Sequence, residues 1–199
     1  MKNLFRLTFL LLTITCNAFA QKNIDSFLGI PFSMPPWEVK RAMKTKNAIE
    51  DTTFNKEYYR TDMLRFYNVS VGGRTCVDFR VTFVNEKAAQ AEFIFAPDPE
   101  STTVKFYGDL VTDIGSIYGY CKNSRDFSTN YKRNEDQEIL GLKAGTIKYT
   151  STWNDQFDNL VITTVVPDAN AGLSVKLTYR NTTLYKGHQT TQTEKAAEF

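Results

Sequence analysis

The stretch VGGRTCVDFRVTFV, residues 71–84, decides the fold class. Gly72-Gly73 is a two-residue hairpin signal, because both glycines accept the positive φ that a tight turn between twisted strands requires. Beyond the turn the chain alternates. Val77, Phe79, Val81 and Phe83 fall on one side of an extended strand, and Asp78, Arg80 and Thr82 on the other. A strand with one packed face and one wet face belongs to an antiparallel sheet, not to a parallel sheet buried on both sides.

Working outward, the residues before the turn read as a strand over 63–71, MLRFYNVSV, the hairpin partner of 74–84. A third strand, AAQAEFIFA over 88–96, follows the short break Asn85-Glu86-Lys87. Upstream, Pro36 to about Lys46 reads as a helix with Val39, Ala42 and Met43 at i, i+3 and i+4. Pro36 forces Pro35 out of the helical region, so the helix starts at Pro36, and Ser33 is not its N-cap. Phe27, Leu28 and Ile30 are apolar enough to pack this lead-in under the sheet. Residues 47–61 are mostly polar and read as loop with room for an edge strand.

The same succession then repeats. Asp98 and Pro99 are placed as N-cap and first residue of a helix running to about Tyr120. Its apolar residues Val104, Tyr107, Leu110, Val111, Ile114, Ile117, Tyr118 and Cys121 fall on one arc. Gly108, Gly115 and Gly119 fall on another. Either a second backbone approaches that flank closely, or Gly119 is simply the helix stop. A polar loop over 122–143 follows, with a turn of helix at 135–140 ended by Gly141. Strands are then predicted over 146–153, 159–166 and 173–180. In the last, Leu173, Val175, Leu177 and Tyr179 alternate with Ser174, Lys176, Thr178 and Arg180.

Two helices and six hairpin-connected strands predict an α+β fold of two α-β-β-β units, 27–97 and 98–181. Together they form a single domain over 21–181, with both main helices on one face of one antiparallel sheet or of two smaller ones. The opposite face is then polar or weakly apolar, open to water or a partner. The tail from Thr182 has little to bury and reads as disordered.

The first twenty residues read as a cleaved leader: Lys2 and Arg6, a short apolar run from Leu7 to Ile14, then Ala18-Phe19-Ala20. The run is too short for a stable membrane anchor, and Thr13-Ile14-Thr15-Cys16 fits a lipidation signal poorly. The expected mature chain begins at Gln21 and is periplasmic or secreted. Losing Lys2 and Arg6 takes the 24 basic side chains to 22, equal to the 22 acidic ones. No basic excess remains for nucleic-acid binding. Two cysteines survive cleavage, Cys76 and Cys121. One reading is a disulfide closing a loop of about 45 residues, worth on the order of 4 kcal/mol. The other is two buried free thiols, and Cys76 is out of phase with the valine-phenylalanine side of its strand.

Catalytic signatures are sparse. The only histidine, His188, lies in the tail, which argues against Ser-His-Asp and Cys-His chemistry. No cofactor motif and no Cys/His metal spacing stands out. Asp109 and Asp113 are spaced i, i+4 on the long helix beside Lys105. The pair could form an acid of raised pKa but reads more simply as a solvated helix face. Trp37, Tyr58, Tyr59, Tyr67, Tyr120 and Trp153 could serve sugar stacking or protein contact, against the default of core packing. Tyr58-Tyr59, flanked by Lys56, Glu57 and Arg60, is the best surface pair. Trp37 stands beside the Lys40-Arg41 face. Glu135, Asp136 and Glu138 share a mixed-charge loop with Lys132 and Arg133, which reads as a solvated segment but is long enough to act as a binding flap.

Leu28-Gly29-Ile30-Pro31 ahead of a helix with Glu38-Val39-Lys40, Tyr118-Gly119 at a helix end, a strand ending in Trp153, and LVITTVV over 160–166 together carry a resemblance. The chain resembles small exported bacterial α+β proteins of unknown function with a repeated helix-plus-three-strands layout. More distantly, it is similar to the β-lactamase-inhibitor-like proteins and the small lipoproteins that assist outer-membrane assembly. Those families commonly open on a Gly-x-Ser-like cap, here replaced by Pro35-Pro36. The resemblance implies a non-enzymatic role in binding or assembly at the cell envelope. The expected function is therefore a non-catalytic envelope protein that binds a protein partner through the open sheet face or the 122–143 loop. The alternative is a small-ligand or glycan binder using exposed aromatics.

Overall fold

The computed structural model describes residues 22–57, 62–127, 135–168 and 172–186. The leader including Cys16, Tyr58, Tyr59, Arg133, and the tail beyond 186 with His188 lie outside the described residues. Within them the chain is α+β and mostly sheet.

A small hairpin, β1 (Ser26–Phe27) and β2 (Ile30–Pro31), leads into helix α1 (Pro36–Thr45). Pro35 is extended, with ψ 158°, and the helix begins at Pro36 as its sequence predicts. The edge strand β3 (Ile49–Glu50) and a short helix α2 (Thr52–Glu57) follow. This helix corrects the loop expected over 47–61. Asp51 starts it by accepting the Phe54 N–H at 3.0 Å. Then come β4 (Met63–Tyr67), β5 (Val69–Val71), β6 (Arg74–Cys76), β7 (Asp78–Val84) and β8 (Lys87–Phe95).

The second half opens with a 3-10 turn, Glu100–Thr102, and the long helix α3 (Thr103–Tyr118). Asp98 and Pro99 therefore precede the helix and do not cap and begin it. Strand β9 (Lys122–Phe127) occupies what reads in the sequence as a loop, while the turn of helix expected at 135–140 is present as α4 (Glu135–Lys143), which runs through Gly141 instead of ending there. Strands β10 (Ile147–Asn154), β11 (Leu160–Asp168) and β12 (Gly172–Arg180) complete the half. Residues 182–186, expected to be disordered, form a helical turn, with the Leu184 N–H on the Asn181 side chain.

Each half thus runs helix, edge strand, short helix, then three long strands, the first half's outgoing strands broken into pairs. The eight-stranded sheet has the order β3-β4-β7-β8-β12-β11-β10-β9, so the halves form one sheet joined by their last strands. Leu64, Phe66, Phe79, Val81, Phe93, Leu177, Tyr179, Val161 and Trp153 point to one face and are buried there. Tyr107 and Tyr118 of α3, Val39 and Met43 of α1, Leu142 of α4, and Phe27 and Ile30 of the lead-in belong to the same core.

The two strands around Gly72-Gly73 are not continuous. The chain bends at Asn68, which has φ 57°, and at Val77, so β5 and β6 form a separate hairpin with both turn glycines at positive φ. The hairpin leans over the helical side. Arg74 there pairs with Asp113 of α3 at 2.6 Å and lies on the Phe106 ring. The bend reverses the phase: Cys76 is 3% exposed, whereas Val77, expected on the packed side, is 53% exposed. Ile117 of α3 is also exposed, outside the buried arc. Nothing approaches Gly108 or Gly115 closely, and Gly119 ends the helix at φ 80°.

Asp155 ties the first residues to the second half. Its carboxylate accepts the Ile24 N–H at 2.9 Å, the Phe157 and Asn159 N–H groups, and the Asn159 side-chain amide. Asp155→Ala should lower unfolding stability in urea by about 2–3 kcal/mol, the scale of a lost charged-group hydrogen bond in a buried site. Asp155→Asn, which keeps one acceptor oxygen, should cost less.

Candidate functional site

The sheet face opposite the helices is built from the other phase of every strand. Register pairs line up Arg65, Arg80, Glu92, Thr178, Ile162, Thr152 and Lys122 in one row from β4 to β9. A neighbouring row runs Asp78, Ile94, Lys176, Thr164, Thr150 and Ser124. Bringing like positions of many strands side by side is what a pleat of period two does once the strand order is set.

Charge on this face is organised. Asp78, nearly buried, accepts Arg65 Nε at 2.8 Å and Arg80 Nε at 2.8 Å. Arg65 also faces Asp51 at 3.5 Å and lies between the Phe54 and Tyr67 rings. The Asp78 bond holds the Arg65 guanidinium more firmly protonated than usual, against the opposing effect of burial. The Phe54 N–H and the Tyr67 hydroxyl lower the Asp51 carboxyl below its ordinary value. Lys176 pairs with Glu92 at 3.2 Å. Arg180 donates to Gln90 at 2.6 Å and stacks on Tyr185. Thr82, Gln90, Ser174 and Thr178 on this face are buried. The result is a polar, ion-paired surface with Ile94 and Ile162 set into it.

Of the residues singled out from sequence, Trp37 is exposed, at 61%, with Arg41 5.4 Å above its ring. It belongs to α1 and so to the helical side, away from the open face. Tyr120 is fully exposed. Trp153 is core, its indole N–H bonded to the Gly119 carbonyl at 3.0 Å. Tyr58, Tyr59 and Arg133 lie outside the described residues. Asp109 and Asp113 each have their own cation, Lys105 and Arg74, so the two carboxylates form two separate ion pairs.

Cys76 and Cys121 are free thiols. The Cys76 thiol donates to the Val69 carbonyl inside the bent hairpin, and Cys121 to Asn123 Oδ1 at the start of β9. Burial pushes the Cys76 thiol up to about 11. Among the described residues no group of three His, Cys, Asp or Glu side chains could hold a metal ion, and no helix is long and apolar enough to cross a membrane.

The open-face cluster escapes sequence reading only in part. The wet phase of β7 and β12 is legible, naming Asp78, Arg80, Lys176 and Arg180. That they meet depends on β8 pairing with β12, for which no local motif exists.

A folded chain beginning at Gln21, treated with iodoacetamide at pH 8, should be alkylated at Cys121 alone, and at Cys76 only after unfolding, because the thiolate is the nucleophile. Mass spectrometry of the peptides checks this, and a product labelled at neither position until reduction would contradict it.

No protein-family model matches the chain, and no solved structure matches it. Among curated proteins, the fibrinogen beta chain of Gallus gallus is 30% identical over 137 residues, covering 65% of this chain and 28% of that protein. The chain therefore spans less than a third of the length of the curated protein it matches, and the similarity assigns it to no family.

Proposed function

We propose that this chain is a non-catalytic exported envelope protein that binds a protein partner through the open face of its sheet. The observation that carries the reading is the row of cross-strand positions from Arg65 to Lys122, polar and salt-bridged, lying on the side away from the main helices. Arginine is enriched at protein interfaces, and this face carries Arg65 and Arg80 held by Asp78, with Ile94 and Ile162 on the same side of the sheet. The leader-like first twenty residues support export to the periplasm or beyond, with cleavage near Ala20 and no lipid anchor at Cys16. The other expected contact region, 122–143, is an edge strand and a helix in its described parts, so the face takes precedence over a flap.

The test is capture from envelope extract with three proteins: the native mature chain, Ile162→Glu on the open face, and Lys105→Glu on the helical side. A partner retained by the native chain and Lys105→Glu, and reduced tenfold or more by Ile162→Glu, supports the reading. Equal capture by all three, or none by any, refutes it. A second reading, a glycan binder, draws on exposed Trp37. Since Trp153 is buried, a shift of the solvent-exposed tryptophan emission on adding cell-wall fragments, lost in Trp37→Phe, would favour it over the protein partner.

A further inference from the structure

The two edges of the sheet are finished differently. At one edge, β3 is two residues long, and beyond it the outer backbone groups of Arg65 in β4 are occupied. The Asn55 side chain accepts the Arg65 N–H at 2.9 Å, and the Asp51 N–H reaches the Arg65 carbonyl at 3.0 Å. Asn55 stands where a further strand would pair, a common way to close an edge. At the other edge, β9 is six residues long and pairs with β10 alone among the described residues. Among the described residues no strand, cap or proline lies across its outer row of backbone donors and acceptors.

The residues of β9 say what fits. In the sequence Lys122-Asn123-Ser124-Arg125-Asp126, an antiparallel copy centred on Ser124 puts Lys122 opposite Asp126, Asn123 opposite Arg125, and Ser124 opposite itself. Shifting the centre to Arg125 sets two guanidinium groups face to face. Shifting it to Asn123 leaves both charged pairs unmatched. Cross-strand opposite charges stabilise a pair and like charges oppose it, so charge selects one register. Each contact extends an existing line: Lys148 is already opposite Asp126 and Thr152 opposite Lys122. The line across the junction would alternate Lys148, Asp126 and then Lys122 of the other copy.

We propose that β9 is a self-association edge, and that two copies of this chain pair through it antiparallel about a two-fold axis at Ser124. The contact is isologous and closed, the commonest form of homodimer. It continues the sheet from one copy into the next and sets both open faces on the same side, which would make any partner binding there bivalent. The inference rests on the edge strand alone and stands whether or not the open face binds a partner.

The test uses the mature chain. Light scattering after size exclusion should give a dimer mass that falls to monomer on dilution, and Lys122→Asp should weaken the dimer tenfold or more. In a Cys121→Ser background, Ser124→Cys should form a covalent dimer under mild oxidation, since directly opposed strand positions fall within disulfide reach. Lys122→Cys should not, because its own counterpart lies about four residues along the strand, roughly 14 Å away. Circular dichroism and melting curves matching the native chain establish that the variants are folded. A monomeric native chain at every concentration overturns the proposal, as does cross-linking of Lys122→Cys as efficient as that of Ser124→Cys.

Discussion

Phe93 opposite Leu177 and Ala91 opposite Tyr179 hold β8 against β12, and this antiparallel join turns two four-stranded halves into one sheet. All four side chains are buried, and the Phe93 ring packs on both Phe79 and Tyr179. Burial of a large apolar side chain is worth about 1.5–3 kcal/mol, so a few such residues at the join suffice to couple the halves. The lead-in segment adds a second tie, because Ile24 reaches Asp155 in the β10–β11 turn. Without the join each half would present a face of four strands instead of eight.

The join also fixes the difference between the two faces. Helices α1, α3 and α4 gather on the side where the aromatic and branched residues point, and the opposite phase is left to ion pairs and threonines. The bent β5–β6 hairpin belongs to the helical side as well, held there by Arg74 and Asp113. At the sheet edges the asymmetry returns: Asn55 closes one end, and β9 is left long at the other. The chain thus has a folded core on one side of the sheet, a salt-bridged face on the other and one long edge strand.

Much of this is legible in the residues. The start of α1 follows from Pro35-Pro36, the tight turn from Gly72-Gly73, the buried side of α3 from Tyr107, Leu110, Ile114 and Tyr118, and the open face from the alternation in β7 and β12. Strand β9 is not legible, because Lys-Asn-Ser-Arg-Asp has no apolar phase and is held as a strand by the backbone of β10. Helix α4 is legible only as a turn at 135–140, and its continuation past Gly141 is hidden because the burial of its described side chains is concentrated on Leu142, with Ile139 packed beside it. The breaks at Asn68 and Val77 are hidden by an alternation that runs unbroken through the sequence, while the hairpin turns toward α3 for the sake of Arg74, Val69 and Cys76. The open-face cluster needs long-range strand order, and no local pattern encodes that.

Native-state hydrogen exchange followed by mass spectrometry tests the coupling of the halves most directly. The amides of 90–95 and 175–180 should be the slowest in the molecule and should exchange together, with the free energy of global unfolding. Full exchange of one half while the other remains protected would contradict a single sheet joined at β8 and β12.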